Sequence, residues 1–597
     1  MLTVLADHAR SRVRVAEILL ARRMVDEHEL YRAMASVWSM ALIDPVAEAP
    51  DPRLVDLLGA ETCLVEGVLP WRNLGAVTVF LCAHPESIAR LRGRLVALFG
   101  PVCFALAPRA RIESCVNAQR GPALARQAET RLALSDSCRD WDRGGARVLG
   151  AGLAALAALS LLFPYQTYVG ALIIVLAGMV PVIGLKLTAL LIGLLSQGAP
   201  APAPAPAIAR RPVVSVIVAL YKEADIAGRL VRRLGRLDYP HDLLDVILAV
   251  EEDDAVTLAT LRRTRLPPWM RVAVVPRGRI KTKPRALNFA LNLCRGDIIG
   301  VYDAEDAPEA DQISKVVQRF HERGSEVACL QGILDYYNPQ QNWLARCFTL
   351  EYGAWFRVVL PGLARLGLPV PLGGTTLFFR REALLALGGW DAHNVTEDAD
   401  LGMRLARRGY RTELIGTVTY EEANCRTLPW IRQRSRWIKG YMMTYAIHMR
   451  DPIRLWHELG PKGFAGFQIL ILGSLVQVLL APLMWSAALI GLFAPDQAPP
   501  LMAALLAAMM PLTIASEFVS MAVLALGRWR SRQPIGWLWL PTLILYFSLA
   551  ALASYKALWE AVVQPFYWDK TRHGHLHSAK GISAATPGKP AEAPPAP

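Results

Sequence analysis

The feature that most constrains this chain is the uneven placement of its apolar residues, which concentrate at roughly 148–195 and 463–563. Several runs in these two regions approach the ~20 apolar residues that a helix needs to cross a bilayer. The composition agrees, because 53% of the 597 residues are hydrophobic and only 19% are charged. The sequence therefore predicts a multi-pass membrane protein.

Much of the basic excess behind the net charge of +14 lies beside the apolar segments. This placement is typical of the cytoplasmic flanks of membrane helices, which also attract anionic lipid. Nucleic-acid binding would instead need a basic stripe interleaved with aromatic residues on a soluble face, so we expect no nucleic-acid partner. The basic groups are Arg143 with Arg147, Arg210 with Arg211, residues 432–439 and residues 528–532.

The nine cysteines form no CxxC pair, and most of them lie in hydrophobic stretches. This pattern indicates reduced thiols in a cytoplasmic compartment rather than a disulfide framework or a zinc site. The N-terminus lacks the basic and apolar regions of a signal peptide. We therefore expect the first unit to stay in the cytoplasm and the protein to lie in the inner cell membrane.

Shifts in composition divide the chain into six segments. Alternating Ala and Pro predict a stiff, extended linker, and basic flanks predict that both ends of the hairpin before it are cytoplasmic. The predicted segments are 1–145, a small regulatory or docking domain of α/β or α+β type; 146–198, a transmembrane hairpin; 199–211, the linker; 212–450, a central α/β domain; 451–578, a C-terminal transmembrane region; and 579–597, a disordered tail.

The topology of the C-terminal apolar region has two interpretations. Its segments lie near 466–493, 501–526 and 536–563, and three complete spans would place the basic stretch 570–577 outside the cell. Either Pro482 breaks the first segment into an interfacial piece and a span, or the last segment does not fully cross.

The central domain alternates strand and helix patterns, which predicts a mostly parallel sheet covered on both faces. A helix is expected from about Asp225 to Leu237. Ligands of such sheets bind beyond the carboxyl ends of the strands, and acidic residues fall at those ends here. The predicted strands are 213–219, 244–250, 272–275 and 297–302.

Three polar motifs carry candidate chemistry, and each also has a purely structural interpretation. Asp303 to Asp306 follow the fourth strand and suit Mg²⁺ or Mn²⁺, although acids in this place are commonly a solvated turn. Glu397 and Asp398 precede a predicted helix, where a carboxylate is often only a cap. Residues 433–437 fit either a ligand site or an amphipathic helix on lipid headgroups.

In their order and spacing, these motifs together resemble the family 2 glycosyltransferases of the cellulose, chitin and hyaluronan synthase type. The resemblance covers about 212–445, and Thr396-Glu397-Asp398 with Gln433-x-x-Arg436-Trp437 is its most specific part. It implies a GT-A-like nucleotide-sugar-binding domain and an inverting, metal-dependent transfer with no covalent enzyme intermediate.

The same resemblance assigns roles to individual residues, with Asp398 as the general base that takes the acceptor's proton. A glutamate at 305 departs from the family's usual aspartate, and Glu251 and Glu252 replace its usual aspartate pair. The implied roles are catalytic for Asp398 and Glu397; metal-binding for Asp303, Glu305 and Asp306; nucleotide-sugar-binding for Ala219, Tyr221, Glu223, Glu251, Glu252, Asp253, Lys283, Arg285 and Asn288; and diphosphate- or acceptor-binding for Gln433, Arg434, Arg436, Trp437, Gly373, Gly374 and Thr375.

Three further segments carry weaker resemblances. An aromatic-rich stretch at 343–356 is similar to the family's interface helices, and 566–574 is similar to its cytoplasmic gating segment. In the N-terminal domain, the segments Arg14 to Leu20, Glu27 to Met34 and Asp51 to Leu58 resemble the small domain at the front of type II secretion ATPases, and some such domains bind cyclic di-GMP. Ala16 stands where that pattern usually has glycine, so a protein-docking role is favoured over cyclic di-GMP binding.

The sequence thus predicts transfer from a UDP-sugar or related donor to a growing polysaccharide at the cytoplasmic face of the membrane, with export through the helices as a further expectation. The alternative is addition of a single sugar to a lipid-linked acceptor. From a different class, a component of a secretion machine would need a Walker A loop, and the sequence contains no G-x-x-x-x-G-K-[ST].

Overall fold

The computed structural model describes residues 2–11, 13–142, 144–195, 208–224, 227–493 and 498–567. Its strands are β1 (Val68–Leu74), β2 (Val77–Cys82), β3 (Val102–Leu106), β4 (Val214–Leu220), β5 (Leu244–Glu251), β6 (Met270–Val275), β7 (Ile298–Tyr302), β8 (Ala307–Pro308), β9 (Val327–Tyr336), β10 (Leu377–Arg380) and β11 (Arg411–Glu421).

The helices of the N-terminal and central parts are α1 (Leu2–Ser11), α2 (Val15–Ala21), α3 (Glu27–Trp38), α4 (Pro52–Leu58), α5 (Ala60–Glu66), α6 (Ile88–Phe99), α7 (Arg109–Thr130), α8 (Gly145–Leu162), α9 (Pro164–Leu195), α10 (Ala227–Leu234), α11 (Ala255–Arg263), α12 (Lys283–Leu291) and α13 (Gln312–Glu322). The later helices are α14 (Trp343–Ala354), α15 (Leu360–Arg365), α16 (Arg381–Ala386), α17 (Glu397–Arg407), α18 (Thr427–His448), α19 (Pro452–Phe467), α20 (Gly473–Leu479), α21 (Ala481–Phe493), α22 (Pro500–Ser531) and α23 (Leu543–Val563).

The central domain is built on an eight-stranded sheet with the order β6-β5-β4-β7-β10-β9-β11-β8. Neighbouring strands from β6 to β7 are parallel, as are β9 and β11, whereas β10 and β8 run antiparallel to their neighbours. The strands β5 and β7 are buried along their whole length, as expected for continuous Val- and Ile-rich runs covered on both faces. The predicted GT-A-like, mostly parallel α/β fold is confirmed.

The predicted helix after the first strand is shorter than expected. It runs from Ala227 to Leu234 and ends directly before Gly235, a residue that favours helix termination. Asp225, where the prediction began, lies outside the described residues.

The small N-terminal unit combines its helices with a three-stranded sheet in the order β1-β2-β3, antiparallel in the first pair and parallel in the second. Its buried residues form one continuous cluster with residues of the central domain. Ile112 and Leu124 of α7 belong to the same buried cluster as Leu287 and Phe289 of α12. The N-terminal unit and the central domain therefore pack as neighbours in one body.

Five helices in the described part of the chain are long and apolar enough to cross a membrane. Two of them form the predicted hairpin, with a single residue, Phe163, between α8 and α9. The five are Gly145–Leu162, Pro164–Leu195, Pro452–Leu479, Pro500–Ser531 and Trp537–Val563.

The apolar segment predicted at 466–493 is interrupted. One helix ends at Leu479 and the next begins at Ala481, one residue before Pro482. A proline has no N–H to bond the carbonyl four residues earlier, and the Val478 carbonyl instead accepts a hydrogen bond from Ser554 Oγ at 3.3 Å. This break matches the alternative in which Pro482 divides the segment.

The last apolar helix, α23, lies alongside α18 of the central domain. Trp430 donates its indole N–H to the Tyr546 hydroxyl at 3.0 Å, and the Lys556 ammonium donates to Ser435 Oγ at 3.1 Å. Farther along, Lys439 Nζ lies 3.3 Å from the Glu560 carboxylate. Both ends of α23 therefore contact the central domain.

Several predictions fall on residues that the structure does not describe. They are the Ala/Pro linker through residue 207, the gating segment from Trp568 onward with the basic stretch to His577, and the tail at 579–597.

Candidate active site

The acidic motifs meet at one edge of the sheet because β4, β5 and β7 are parallel and end there. Tyr221 follows β4, Glu251 is the last residue of β5, and Asp303 follows β7. This is the edge at which open α/β sheets bind ligands.

Lys283, in the first turn of α12, connects several parts of this cleft. Its ammonium lies 2.5 Å from Asp303 Oδ1 and donates to the Gly374 carbonyl at 2.9 Å. Burial disfavours its charge, yet the carboxylates of Asp303, Glu397 and Asp398 raise its pKa above the usual range. Lys283 thus stays charged between the predicted metal-binding turn and the predicted base.

The turn after β7 is held from inside by Asp306. Its Oδ2 accepts hydrogen bonds from the Asp303 backbone N–H at 2.8 Å and from the Thr375 hydroxyl. Burial, reinforced by the charges of Asp303 and Glu305, raises the pKa of Asp306 well above its usual value. Asp306 is fully buried while Asp303 and Glu305 are half-buried, so the latter two face the cleft.

Glu421, the last residue of β11, is a carboxylate of this cleft that sequence reasoning missed. Burial and the charges of Asp306, Glu305 and Asp303 raise its pKa well above the usual value. The sequence does contain a signal for it: Glu421 is an acidic residue at the end of a strand, just as Asp303 is an acidic residue directly after a strand. It lies more than a hundred residues farther along the chain and belongs to none of the motifs.

The carboxylates of the cleft suit a divalent cation. One buried oxygen each of Asp306 and Glu421 has no hydrogen-bond partner among the described residues, and the acids repel one another. Within the same part of the chain, no three Asp, Glu, His or Cys side chains form a ready-made metal site. This donor set fits Mg²⁺ or Mn²⁺ held by one or two carboxylates and completed by phosphate oxygens of a substrate.

The predicted catalytic pair, Glu397 and Asp398, lies at the start of α17. It is next to residues 373–375, called here the glycine loop. An added Cβ at Gly374 would lie 3.2 Å from Asp398 Oδ2, and Gly374 has a φ of +72° that disfavours other residues. Burial and the charge of Asp398 raise the pKa of Glu397 to about 8. Burial likewise raises the pKa of Asp398, while Lys283 and Arg436 act in the opposite direction.

The glycine loop also contacts the aromatic helix that precedes it. The Gly373 N–H donates to Gln331 Oε1 at 2.8 Å, and a Cβ at Gly373 would lie 2.7 Å from the Phe356 ring. Phe356 belongs to a π-helical turn, Trp355–Val359, a feature often found at functional sites. Because Thr375 bonds Asp306, this loop links the aromatic helix to the acidic turn.

The Gln433-to-Trp437 motif lies in the first half of α18, and its two arginines point to different surroundings. Arg434 pairs with Glu351, donates a hydrogen bond to the Tyr546 hydroxyl at 3.0 Å and stacks over Trp437 at 4.7 Å. The charge of Arg436 instead counteracts the raised pKa values of Glu397 and Asp398, so this arginine lies near the catalytic pair.

The other two motif residues have simpler surroundings. Gln433 Oε1 lies 3.4 Å from Asn424 Nδ2, and the Trp437 ring lies 6.1 Å from that of Phe348. Both side chains are half-buried, and Trp437 continues the aromatic surface of α14.

The segment after β4 is fixed by Asp254, which the sequence did not single out. Its carboxylate accepts the Lys222 backbone N–H at 2.5 Å and caps α11 by accepting the Thr257 N–H. The Glu223 N–H donates to Thr257 Oγ1 at 2.9 Å. Tyr221 and Glu223 stay half-buried at the cleft, as does Ala219 within β4.

The remaining predicted donor residues separate into two groups. Glu252 and Asp253 are exposed, and Asp253 pairs with Lys281. Glu251 pairs in the interior with Arg285, and burial raises the pKa of Glu251 to about 7.

The structure does not bring Arg285 or Asn288 to the open cleft. Arg285 is fully buried, and its guanidinium donates to the Pro276 carbonyl at 2.8 Å. Asn288 is buried as well and bonds the carbonyls of Ala128 and Trp390. Both side chains organise the surrounding backbone.

A GT-A-like sheet with carboxylates and cations at its ligand edge is typical of proteins that bind a nucleotide-sugar. Residues 211–440 match the family model described as "Glycosyltransferase like family 2", and this segment is therefore a family 2 glycosyltransferase domain.

Two relatives are similar to part of the chain. The chain is 30% identical over 246 residues to a beta-monoglucosyldiacylglycerol synthase of Synechocystis sp., covering 40% of this chain and 50% of that protein. It is 25% identical over 232 residues to the probable glycosyltransferase YdaM of Bacillus subtilis, covering 38% and 55%. The chain thus spans about half the length of the curated relatives it matches.

Among solved structures, a mannosyltransferase of Pyrobaculum calidifontis in complex with GDP-mannose and Mn²⁺ is similar to this chain. The identity is 21% and the TM-score 0.41, with 60% of this chain and 97% of the other covered.

Proposed function

We propose that the protein transfers a sugar, with inversion, from a nucleoside-diphosphate sugar to an acceptor hydroxyl at the membrane surface. The observation that carries this proposal is the position of Lys283, whose ammonium joins Asp303 to the Gly374 carbonyl beside Asp398. The Lys283 ammonium therefore lies between the proposed donor-binding carboxylate, Asp303, and the proposed proton acceptor, Asp398.

On the donor side, Tyr221, Glu223, Glu252 and Asp253 line the place for the nucleoside, with a uridine nucleotide as the proposed form. Lys283 and Arg436 supply positive charge for the leaving diphosphate. Asp303 and Glu305 would hold Mg²⁺ or Mn²⁺, which neutralises developing charge on the diphosphate when bound.

On the acceptor side, Asp398 takes the proton of the attacking hydroxyl. The acceptor oxygen forms its bond to the anomeric carbon as the bond from that carbon to the diphosphate oxygen breaks, so a single displacement inverts the centre. The raised pKa of Asp398 strengthens it as a base near neutral pH. Trp437 offers an aromatic face for the acceptor.

For the acceptor, we propose a lipid at the bilayer surface, since a relative named as a beta-monoglucosyldiacylglycerol synthase is 30% identical to this chain over 246 residues. The second candidate is a growing polysaccharide, coupled to export, which the Gln433-x-x-Arg436-Trp437 motif favours. The aromatic surface formed by Trp437, Phe348 and Tyr352 suits a sugar ring in either case.

We further propose that the catalytic domain faces the cytoplasm of the inner membrane, as the basic flanks of the apolar helices indicate. The chain returns to this domain after α23. The Tyr567 carbonyl accepts a hydrogen bond from Lys439 at 2.9 Å, and the Phe566 and His393 rings lie 5.3 Å apart. Residues 564–567 are therefore on the catalytic side.

The test is to incubate the purified protein in lipid nanodiscs with radiolabelled UDP- and GDP-sugars, with Mg²⁺, Mn²⁺ or EDTA. Transfer to a chloroform-soluble product of one sugar per lipid would support the lipid acceptor, and a size ladder of glycans would support the polymer. No transfer to either acceptor from any donor, with both metals present, would refute the proposed function.

A further inference from the structure

The N-terminal unit contacts a loop beside the proposed donor site. This loop, residues 276–282, connects β6 to α12 and leads directly into Lys283. On its cleft side, the Arg277 N–H donates to Glu252 Oε2 at 3.1 Å and Lys281 pairs with Asp253. The loop therefore links the proposed nucleoside and diphosphate positions.

On its rear side, the same loop is held by one carboxylate of the N-terminal unit. Glu129, near the end of α7, accepts the backbone N–H of Arg279 at 2.6 Å and that of Ile280 at 3.3 Å through Oε1. The side chain is 4% exposed, so these two hydrogen bonds form largely out of water. Gly278 permits the approach, because a Cβ there would clash with Glu129 and Arg285.

The charge of Glu129 is balanced within the same cluster. Arg285 lies 3.9 Å from Glu129 Oε1 and pairs with Glu251, the last residue of β5. A buried Arg between two carboxylates thus connects α7 to the strand that ends at the donor site. Removing one of the carboxylates would leave this set unbalanced in the interior.

We propose that the N-terminal unit completes the donor site, with Glu129 as a positioning residue that fixes the 276–282 loop and, through it, Lys283. The inference rests on the proposed function for its kinetic consequence. Glu129 touches no substrate; it acts by holding two backbone N–H groups of the loop. On this basis the N-terminal unit is required for the geometry of the donor site and is not an independent module.

Glu113 offers a matched control on the same helix. Its carboxylate also joins α7 to the central domain, accepting from Arg271 at 2.9 Å, but it has no hydrogen bond to the 276–282 loop. Glu113→Gln and Glu129→Gln each neutralise one docking carboxylate of α7. Only the second changes a group that bonds the loop backbone.

The experiment compares the full-length wild type, Glu129→Gln, Glu129→Ala and Glu113→Gln in lipid nanodiscs. Hydrogen–deuterium exchange of the peptide covering 276–282 needs no substrate, and we expect it to speed up roughly tenfold in Glu129→Ala and less in Glu129→Gln, which keeps one acceptor oxygen. The Glu113→Gln peptide is expected to match the wild type.

With the donor that wild type uses, we expect Glu129→Ala to raise the donor KM roughly tenfold while kcat changes less than about threefold. A general loss of folding would lower kcat by reducing the active fraction and leave KM unchanged. Unchanged loop exchange in both Glu129 variants, or faster exchange with an unchanged donor KM, would overturn the inference. A wild type that uses no nucleotide-sugar would instead refute the proposed function, and the exchange comparison would still decide whether Glu129 fixes the loop.

Discussion

The cleft face and the core face of the catalytic domain use the same residue types for different purposes. Three helices each carry two like charges two residues apart: Lys283 and Arg285, Asp398 and Asp400, and Arg434 and Arg436. Residues at this spacing lie on nearly opposite sides of a helix. One member of each pair faces the reaction cleft, and the other makes an ion pair away from it, which is buried for Arg285 and Asp400 and part-buried for Arg434.

The members that lie away from the cleft stabilise the helices that present the cleft members. Arg285 pairs with Glu251, Asp400 pairs with Arg404 at 2.7 Å, and Arg434 pairs with Glu351 among aromatic rings. A substitution on the core face should therefore change stability, and one on the cleft face should change turnover. The four predictions below test this division.

The largest effect is expected at Asp398. Asp398→Asn removes the proposed base, so we expect kcat to fall roughly 1,000-fold while nucleotide binding persists. The measurement is single-turnover transfer together with donor binding by calorimetry. Asp400→Asn, two residues away, should instead lower the melting temperature because it leaves Arg404 buried without its charged partner. Normal turnover in Asp398→Asn would disprove the role of this carboxylate.

The second prediction compares the two cations of α12. Arg285→Met leaves Glu251 and Glu129 without their cation in the interior, and we expect a loss of about 3–5 kcal/mol in the free energy of unfolding. Lys283→Met should keep the melting temperature within a few degrees of wild type, because Lys283 lies at the cleft, while kcat falls roughly 100-fold. Thermal unfolding and initial rates in nanodiscs measure both. Equal loss of stability in the two variants would contradict the division.

The third prediction concerns the two arginines of α18. Arg436→Lys keeps the charge but loses the planar guanidinium, so we expect kcat/KM to fall about tenfold. Arg434→Lys should cost about 1–2 kcal/mol of stability through weaker stacking on Trp430 and Trp437. The same kinetic and thermal assays apply. A loss of stability in Arg436→Lys together with a loss of kcat/KM in Arg434→Lys would show that Arg434, rather than Arg436, faces the cleft.

The smallest effect is a pH dependence. Because burial raises the pKa of Glu397 to about 8 from an ordinary 4.5, the folded protein keeps a proton that the unfolded chain releases. The stability contributed by this group is therefore present at low pH and is lost as the pH rises from about 4.5 to 8.

Glu397→Gln remains neutral throughout that window. We expect its melting temperature to fall less steeply with rising pH than that of the wild type. Glu252→Gln, which changes an exposed carboxylate, is the control and should retain the wild-type slope. Parallel slopes for Glu397→Gln and the wild type would show that Glu397 is ionised in the folded protein across this range.

The sheet was predictable because its strands are continuous apolar runs, and four were located within two residues of their observed bounds. The acidic turn after β7 and the start of α17 were predictable from motif order. Which residues of each motif face the cleft and which face the core was not predictable, because the side that a residue faces depends on where its helix begins and what packs against it. Arg285 and Asn288 illustrate this, because their partners lie on other segments.

Glu421, Asp254 and Glu129 were missed for a related reason. Each faces or bonds a segment distant in sequence, and although Glu421 ends a strand and Asp254 also caps α11, neither feature identifies that segment. Hydropathy likewise could not reveal how α23 packs, because an apolar helix that spans the membrane and one that lies beside a catalytic helix have similar composition.

The contact between α23 and α18 has a consequence for how the protein should be handled. The Tyr546 hydroxyl on α23 bonds Glu351 at 2.6 Å as well as Arg434. A truncation before Leu543 would therefore do more than remove a membrane anchor: it would open one wall around the Arg434 guanidinium to hydrocarbon or detergent. A shortened chain prepared for crystallisation would need this helix to be kept.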